Sequence, residues 1–423
     1  MERPGYRHSR ARGICISMLT TKTTQIVKAT ASTVATHAEA ITTRFYHLMF
    51  SGNPEVQRYF NSAHQHSGGQ QRALAGAICA YAANLDDLEA LGPAVELIAH
   101  KHCSLGIQPD HYPIVGKYLL AAIKDILGDS ATDDVIAAWS EAYGFLAGLF
   151  VKRETQIYQA QSATPGGWNG FRRFIVDRKQ PENEIITSFY LRPEDGGALA
   201  TFKPGQYITV QIDHPAAPTS PRNYSLSDRP GVGHYRISVK RELAPDTGSP
   251  NGLISNYLHD DVLEGDVLEI GPPCGEFTLN PLEIGDRSIT LISGGIGITP
   301  VLSMLKSLAH HRVESPVNFI HAARNSRFHA FADEVKGIAA QCPSIRAHFR
   351  YDAPLDDDIR QGHCHSTGYV DARLLEDILP ASDAEFYFCG PKPFMVGLLR
   401  TLKELNIHES RIHYEFFGPK QEM

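Results

Sequence analysis

Between Met18 and Tyr158 apolar residues recur with the 3.6-residue period of helices. Val34, Ala38, Ile41, Phe45 and Leu48 form one stripe; Leu74, Ile78, Tyr81 and Leu85 form a second; Leu91, Val95, Ile98, His102 and Leu105 form a third. Pro54, Pro93, Pro109 and Pro113 fall at the starts or breaks of such stretches, where proline is tolerated. The pattern predicts an all-α domain of several helices. After the short linker Ala163-Thr164-Pro165-Gly166-Gly167 the runs become short and alternating, over 171–176, 185–191, 206–212, 235–240 and 267–270. Gly, Pro and Asp turns separate them, which predicts an antiparallel barrel or sandwich. From about Arg287 strand and helix patterns alternate: strands at 288–293, 317–322 and 385–389, helices at 300–310 and 393–405. Such alternation predicts a parallel sheet with helices on both faces. The expected order is α, then β, then α/β.

Composition supports that order. Of 423 residues 42% are hydrophobic, enough for more than one core, and the length suits nearly three domains at about 150 residues each. Forty basic against 47 acidic residues, a net charge of −7, argue against a general binder of nucleic acid or anionic membrane. No uninterrupted apolar run approaches the about 18 residues that suggest a spanning helix. The seven cysteines (Cys15, Cys79, Cys103, Cys274, Cys342, Cys364 and Cys389) are scattered and never form CxxC. A disulfide framework, a four-cysteine zinc site and a plant-type iron–sulfur cluster all fit poorly, and cysteine usage points inside the cell. Residues 1–17 are basic without the apolar core of a secretory signal. They read as a disordered extension, or as sequence ahead of a start at Met18.

The strand at 288–293 runs into Gly294-Gly295-Ile296-Gly297-Ile298-Thr299-Pro300. Its glycines let backbone N–H groups approach a pyrophosphate, with Thr299 expected as the helix N-cap and Pro300 in the first turn. The usual third glycine is replaced by Thr-Pro, and one such turn alone is as readily a tight structural turn. The strand at 385–389 ends in a second loop, Cys389-Gly390-Pro391. Two loops at strand C-termini are where an open α/β sheet binds its ligand.

Here residues 168–423 resemble the ferredoxin–NADP⁺ reductase superfamily, in which a flavin barrel precedes a pyridine-nucleotide domain. Arg222-Asn223-Tyr224-Ser225, shortly after Gly205-Gln206-Tyr207, matches its flavin motif. The resemblance implies that Tyr224 covers the isoalloxazine, Arg222 neutralises the diphosphate and Ser225 hydrogen-bonds the reactive edge, with Tyr207 beside the ring. Gly252-Leu253-Ile254-Ser255 looks like the diphosphate turn, which places Gly252 and Ser255 at FAD.

Electrons leaving such a flavin need an acceptor, and the helical domain offers His37, His47, His64, His66, His100, His102 and His111. Periodicity puts His102 on the buried stripe, with His100 about 200° round the helix on a face shared with Glu96. An inward histidine is either a hydrogen-bonded core residue or a ligand. The segment from Met18 to Tyr158 resembles the globin domain of the flavohaemoglobins. The match runs through 45–50, Gln70 to Leu74, Lys101-His102, 108–113 and Ala142-Tyr143-Gly144, and continues at Tyr414-Glu415-Phe416-Phe417-Gly418-Pro419.

That resemblance implies His102 as the proximal iron ligand, with Tyr112 and Glu154 hydrogen-bonding toward its imidazole. It implies Tyr46, Gln70 and Leu74 on the distal side, with Gln71 a rival for Gln70. Lys101 and Glu415 are implied to tune electron transfer, and Phe417 to pack against the flavin. His363-Cys364-His365 reads as an exposed loop rather than a metal site. The implied fold is a disordered extension (1–17), a globin domain (18–158), a linker (159–167), a FAD-binding β-barrel (168–281) and an α/β Rossmann-like NAD(P) domain (282–423). The implied activity is nitric oxide dioxygenation in the cytoplasm, with electrons passing from NAD(P)H through FAD to haem b (iron) and NO and O₂ becoming nitrate. The rivals are a hydroperoxide reductase and a gas sensor or store. The expected partners are these small molecules, with no nucleic acid and no integral membrane association, in a monomer; whether lipid shares the distal pocket is left open.

Overall fold

The structure is a computed structural model that describes residues 19–60, 68–212, 221–244, 251–379 and 384–418. The expected extension over 1–17, the start at Met18, His64, His66 and Pro419 lie outside the described residues. The chain packs as two compact units. Of the described residues, one takes those up to Pro54 with 74–95 and 108–156; the other takes those within 55–73, 96–107 and from Ile157 on.

The helices are α1 (Thr21–Thr36), α2 (Ala38–Gly52), α3 (Gly69–Ala83), α4 (Gly92–Leu105), α5 (His111–Leu127) and α6 (Asp133–Ala163). The stripe through Val34 and Ala38 is broken at His37, which caps α1. The Thr36 hydroxyl donates to the Ser32 carbonyl there, the side-chain back-bonding that bends a helix. In α2 the fully buried row is Ile41, Phe45 and Met49, with Leu48 only half-buried. α6 runs past Tyr158 to Ala163, so the residues from Gln159 expected as linker are helical and the break comes at Thr164-Pro165. Gln159-Ala160-Gln161 favours helix strongly, and proline then stops it. By length and composition α6 could cross a bilayer. In the first unit it is a packing helix, burying Trp139, Ala142, Phe150 and Glu154.

The second unit contains two six-stranded sheets. β1 (Arg172–Pro181), β2 (Ile186–Pro193), β3 (Tyr207–Gln211), β4 (Arg222–Ser225), β5 (Tyr235–Lys240) and β6 (Val267–Ile270) pair antiparallel in the order β4-β3-β6-β1-β2-β5. A bridge from Leu226 to Ile237 joins the two ends of that order, making a barrel around Phe174, Phe189, Ile208 and Tyr235. α7 (Leu253–Asp260) packs on it through Ile254 and Leu258.

β7 (Ile289–Gly294), β8 (Val317–Ala323), β9 (Ile345–Tyr351), β10 (Ser366–Thr367), β11 (Glu385–Cys389) and β12 (Ile412–Glu415) form a parallel sheet, β10-β9-β8-β7-β11-β12. α8 (Ile298–His310) and α9 (Ala332–Gln341) share one hydrophobic cluster with Leu291 and Phe319. α11 (Ala372–Ile378) and α12 (Lys392–Glu404) share another with Ile292 and Phe388, and the short α10 (Asp356–Arg360) precedes β10. Adjacent strand residues point to opposite faces, so β7 is buried throughout because both of its faces are covered.

Candidate functional site

The nucleotide loops are built from backbone. β7 ends at Gly294, a 3₁₀ turn spans Gly295–Gly297, and α8 begins at Ile298. β11 lies parallel to β7, with Cys389 opposite Ser293, and the strand order reverses between them. The loops at Gly294–Pro300 and Cys389–Pro391 therefore meet at the switch point of the sheet. A Cβ on Gly297 would stand 2.2 Å from the Cys389 carbonyl oxygen and 2.6 Å from the Gly390 nitrogen. Only glycine lets the two loops touch. Ile298, Thr299 and Pro300 are buried behind them, and burial pushes the Cys389 thiol up.

One expected detail is corrected. Gly297, not Thr299, occupies the N-cap of α8, no side chain caps the helix, and the Thr299 hydroxyl donates 3.0 Å to the Ile296 carbonyl. The glycine turn tightens into the helix before Thr299 is reached. The first helical N–H groups are thus left without a side-chain cap, the condition in which a helix start can take an anion. Pro300 is in the first turn as expected, and α12 begins after Pro391.

The flavin-motif residues lie on β4, which pairs with β3 so that Ser225 faces Tyr207 and Tyr224 faces Ile208. The Thr209 hydroxyl donates to the Asn223 side-chain Oδ1 at 2.9 Å. Burial raises the Tyr224 phenol, opposed by Arg222; burial lowers the Arg222 guanidinium, opposed by Tyr224. Gly252 is the N-cap of α7 and carries no capping side chain. The Ser255 hydroxyl donates to its carbonyl at 3.1 Å and accepts from the Glu242 N–H at 3.1 Å.

Glu415 sits at the end of β12 opposite Cys389. Burial pushes its carboxyl up to about 8, with Lys101 pulling the other way. Lys101 is lowered by burial and raised by Glu415, and Tyr207 is raised mainly by burial, with Cys274 and Glu415 adding. The second unit thus brings Lys101, Glu415 and Tyr207 together. Among the described residues the Ser225 Oγ and Glu415 Oε2 atoms are buried without a hydrogen-bond partner. Buried polar atoms are normally satisfied, so both fit the polar edge of a flavin. Phe416 packs on the sheet cluster, Phe417 is 44% exposed, and the Gly418 N–H donates to the Phe416 carbonyl.

The residues expected around haem fall in both units. In the first, the Tyr112 hydroxyl donates to Glu154 Oε1 at 2.5 Å, and Glu154 is 2% exposed. The Tyr143 hydroxyl donates to the Tyr112 carbonyl at 2.6 Å, and Phe150 stacks on the Tyr112 ring. Tyr46 is buried between Phe45 and Phe50, and burial raises its phenol; Leu74 is half-buried. In the second, Gln70, Gln71 and His102 are half-buried.

On α4 the fully buried side chains are Ala99, Cys103 and Ser104, while the predicted stripe through His102 is half-buried. A half-buried imidazole is reachable by a ligand, as a core histidine is not. His100, which periodicity puts on a face away from the buried stripe, is corrected to a largely covered position. The His100 side chain is 12% exposed, and Glu276 lies 2.5 Å from its Nε2. The Gly275 N–H donates to its Nδ1 at 3.2 Å. The face shared with Glu96 is covered by a loop of the barrel, a partner 175 positions away that periodicity could not reveal.

Glu96, His100 and Glu276 bring ligand atoms within 4.8 Å of one another. Because Nδ1 accepts from Gly275, the neutral imidazole carries its proton on Nε2 and donates to Glu276, the opposite of what a metal there needs. In the 363–365 run His363 pairs with Asp358, the His365 Nδ1 accepts from the Phe349 N–H, and Cys364 packs on the sheet core rather than standing in an exposed loop.

Comparison with known proteins gives the family of the chain. The globin family matches residues 43–149 and the oxidoreductase NAD-binding domain family matches 291–399. A flavohemoprotein of Rhodopirellula baltica is 57% identical over 96% of this chain and 99% of its own. The chain belongs to the flavohaemoprotein family. A second flavohemoprotein, from Halalkalibacterium halodurans, is 50% identical over 95% of this chain and 97% of its own. The crystal structure of a Malassezia yamatoensis flavohemoglobin with bound FAD and heme superposes with a TM-score of 0.83 at 29% identity, covering 95% of this chain and all of that one. The FAD/NAD-binding domain of a Vibrio cholerae nitric oxide dioxygenase gives 0.52 at 36% identity, over 59% of this chain and 99% of that one. As a flavohaemoprotein the chain is a globin coupled to an NAD(P)H oxidoreductase, and the cofactors of that assembly are haem, FAD and a nicotinamide dinucleotide.

Proposed function

We propose that this flavohaemoprotein is a cytoplasmic nitric oxide dioxygenase that converts NO and O₂ to nitrate with electrons from NAD(P)H. NO, O₂ and one electron make one nitrate, so each NAD(P)H serves two turnovers. When bound, the flavin supplies the change from two-electron to one-electron chemistry and the haem iron supplies the gas chemistry.

The chain's own residues carry the rest. The loops at Gly294–Pro300 and Cys389–Pro391 hold the dinucleotide pyrophosphate on backbone N–H groups. Tyr207, Arg222, Asn223, Tyr224, Ser225, Gly252 and Ser255 hold FAD, with Phe416, Phe417 and Gly418 closing the nucleotide side; Pro419, assigned with them, lies outside the described residues. His102 holds iron. The buried Glu154, bonded to Tyr112, makes that imidazole more basic and favours oxygen activation. Tyr46, Gln70 and Leu74 receive the gases, and Lys101 with Glu415 tunes the electron route. The domains take the limits 18–158, 168–281 and 282–423 in a monomeric chain.

The observation that carries this reading is the hydrogen bond from the Gly275 N–H to His100. It ties the helix of His102 to the loop whose Cys274 pairs with Tyr207, on the strand that faces Ser225. The Vibrio cholerae relative, itself part of a nitric oxide dioxygenase, supports the choice of substrate. The test follows NO loss, nitrate yield and NADH oxidation in air with haem- and FAD-loaded protein. One nitrate per NO and one NADH per two NO are expected. Loaded protein that oxidises NADH but leaves NO untouched would reject the activity.

A further inference from the structure

We propose that His100 is a positioning residue: through Glu276 and the Gly275 backbone it fixes the helix of His102 against the flavin half, in the orientation electron transfer requires. The inference rests on the reading that His102 holds haem and that its electrons come from the flavin.

The 96–107 segment, which holds most of α4, belongs to the same compact unit as the barrel. His100 uses both ring nitrogens there, Nδ1 accepting from the Gly275 N–H at 3.2 Å and Nε2 donating to Glu276 at 2.5 Å. A side chain held at two points cannot rotate about its own axis, whereas one held at a single point can. His102 lies two residues further on, a rise of about 3 Å along the helix, so any tilt about His100 is passed directly to it.

The other end of the tie is equally firm. Tyr207 and Cys274 exchange two backbone hydrogen bonds of 2.9 Å, and the Tyr207 ring would lie 3.0 Å from a Cβ on Gly275, whose φ is +114°. Gln161 adds a bond to the Pro273 carbonyl. The 273–276 loop is therefore clamped to β3 on one side and to His100 on the other. A continuous path of bonded atoms runs from His102 through His100, Gly275 and Cys274 to Tyr207, which faces Ser225 across the β3–β4 ladder. The charge interaction of Lys101 with Glu415 carries no such directional constraint. An error of an ångström in placing a redox partner has large kinetic consequences. The two-point bond is the part of this surface able to prevent one.

The experiment compares wild type with His100→Ala, His100→Gln and Glu276→Ala in the full chain. Hydrogen–deuterium exchange of the 96–107 amides should rise in both alanine variants. In protein loaded with haem and FAD under carbon monoxide, haem reduction by NADH, read at the Soret band, should slow about tenfold in His100→Ala. NADH-driven ferricyanide reduction, which needs only the flavin half, should stay within about twofold of wild type on the same argument. His100→Gln keeps a donor for Glu276 and should recover part of the rate. Unchanged exchange in both alanine variants would overturn the proposal, as would faster exchange with an unchanged rate of haem reduction. Glu276→Ala carries the test should His100→Ala not fold. If wild type shows no Soret band, the haem reading itself fails, and the exchange measurement still judges the tie.

Discussion

The nucleotide loops and the Tyr112–Glu154 pair are two solutions to building a site. At the loops recognition belongs to the backbone: Gly297 approaches Cys389 and Gly390 so closely that side-chain identity is reduced to the absence of a Cβ. At the pair it belongs to two side chains 42 positions apart, held by one hydrogen bond in the helical unit. A backbone site announces itself as glycine spacing but fails abruptly on substitution. A side-chain site is silent in sequence and fails in proportion to the bond removed.

The largest test of that contrast is Gly297→Ala. Relieving the overlap requires the loops to move apart, at a cost of about 3 kcal/mol or more. The urea midpoint should fall and the KM for NADH should rise sharply; a variant near wild type in both would show the approach to be dispensable.

Acid gives the next effect, because side chains buried behind the backbone site carry their own liability. His321, fully buried on β8 and bonded to Ser293 at 2.8 Å, has its pKa held down to about 3 by burial. Burial likewise lowers His348 to about 4, and His329 is lowered by burial with His321 adding. The folded pKa lies below the unfolded value. The stabilisation is therefore complete above about pH 6.5 and is lost as pH falls toward the folded value. For His321 alone the loss is about 2 kcal/mol between pH 6.5 and 5. Urea titrations at stepped pH should show that slope, and His321→Asn should flatten it.

Tyr112→Phe comes third. It removes the phenol donor from a carboxylate that is 2% exposed and should cost about 1.5 kcal/mol in urea unfolding, leaving the KM for NADH alone. A shift in that KM would break the separation of the two sites. Thr299→Ala should be smallest, below about 0.5 kcal/mol, since its hydroxyl bonds back to Ile296 and caps nothing. A loss near 1 kcal/mol, the usual value of a cap, would restore Thr299 to the role its sequence context suggests.

The same contrast explains what could be read from residues alone. The β7 loop was legible because its apolar strand, glycines and helix follow one another directly. The Thr299 cap was misplaced because a 3₁₀ turn advances the helix start by a geometry no residue pattern encodes. The end of α6 was misjudged because the Pro/Gly cluster draws attention while the helix-forming residues before it do not. Tyr46 lies beside the stripe through Ile41 and Phe45 and is buried with it, because α2 presents two adjacent columns inward rather than one. His100 was assigned to an outer face because a helical wheel contains no information about a loop far along the chain. The roles of Tyr112, Glu154, Lys101 and Glu415 were suggested by resemblance alone, and the structure supplies for each pair the contact or field that spacing could not.

β12 gives the order of residues a meaning in time. Glu415 lies on an edge strand paired only to β11, and it is translated after every other described residue of the flavin motif and the nucleotide loops. Domains fold as the ribosome releases them, so Lys101 spends most of synthesis without the carboxylate that later faces it. The reductase strands and the helix of Lys101 become electrically complete only when that edge strand zips onto a sheet already standing.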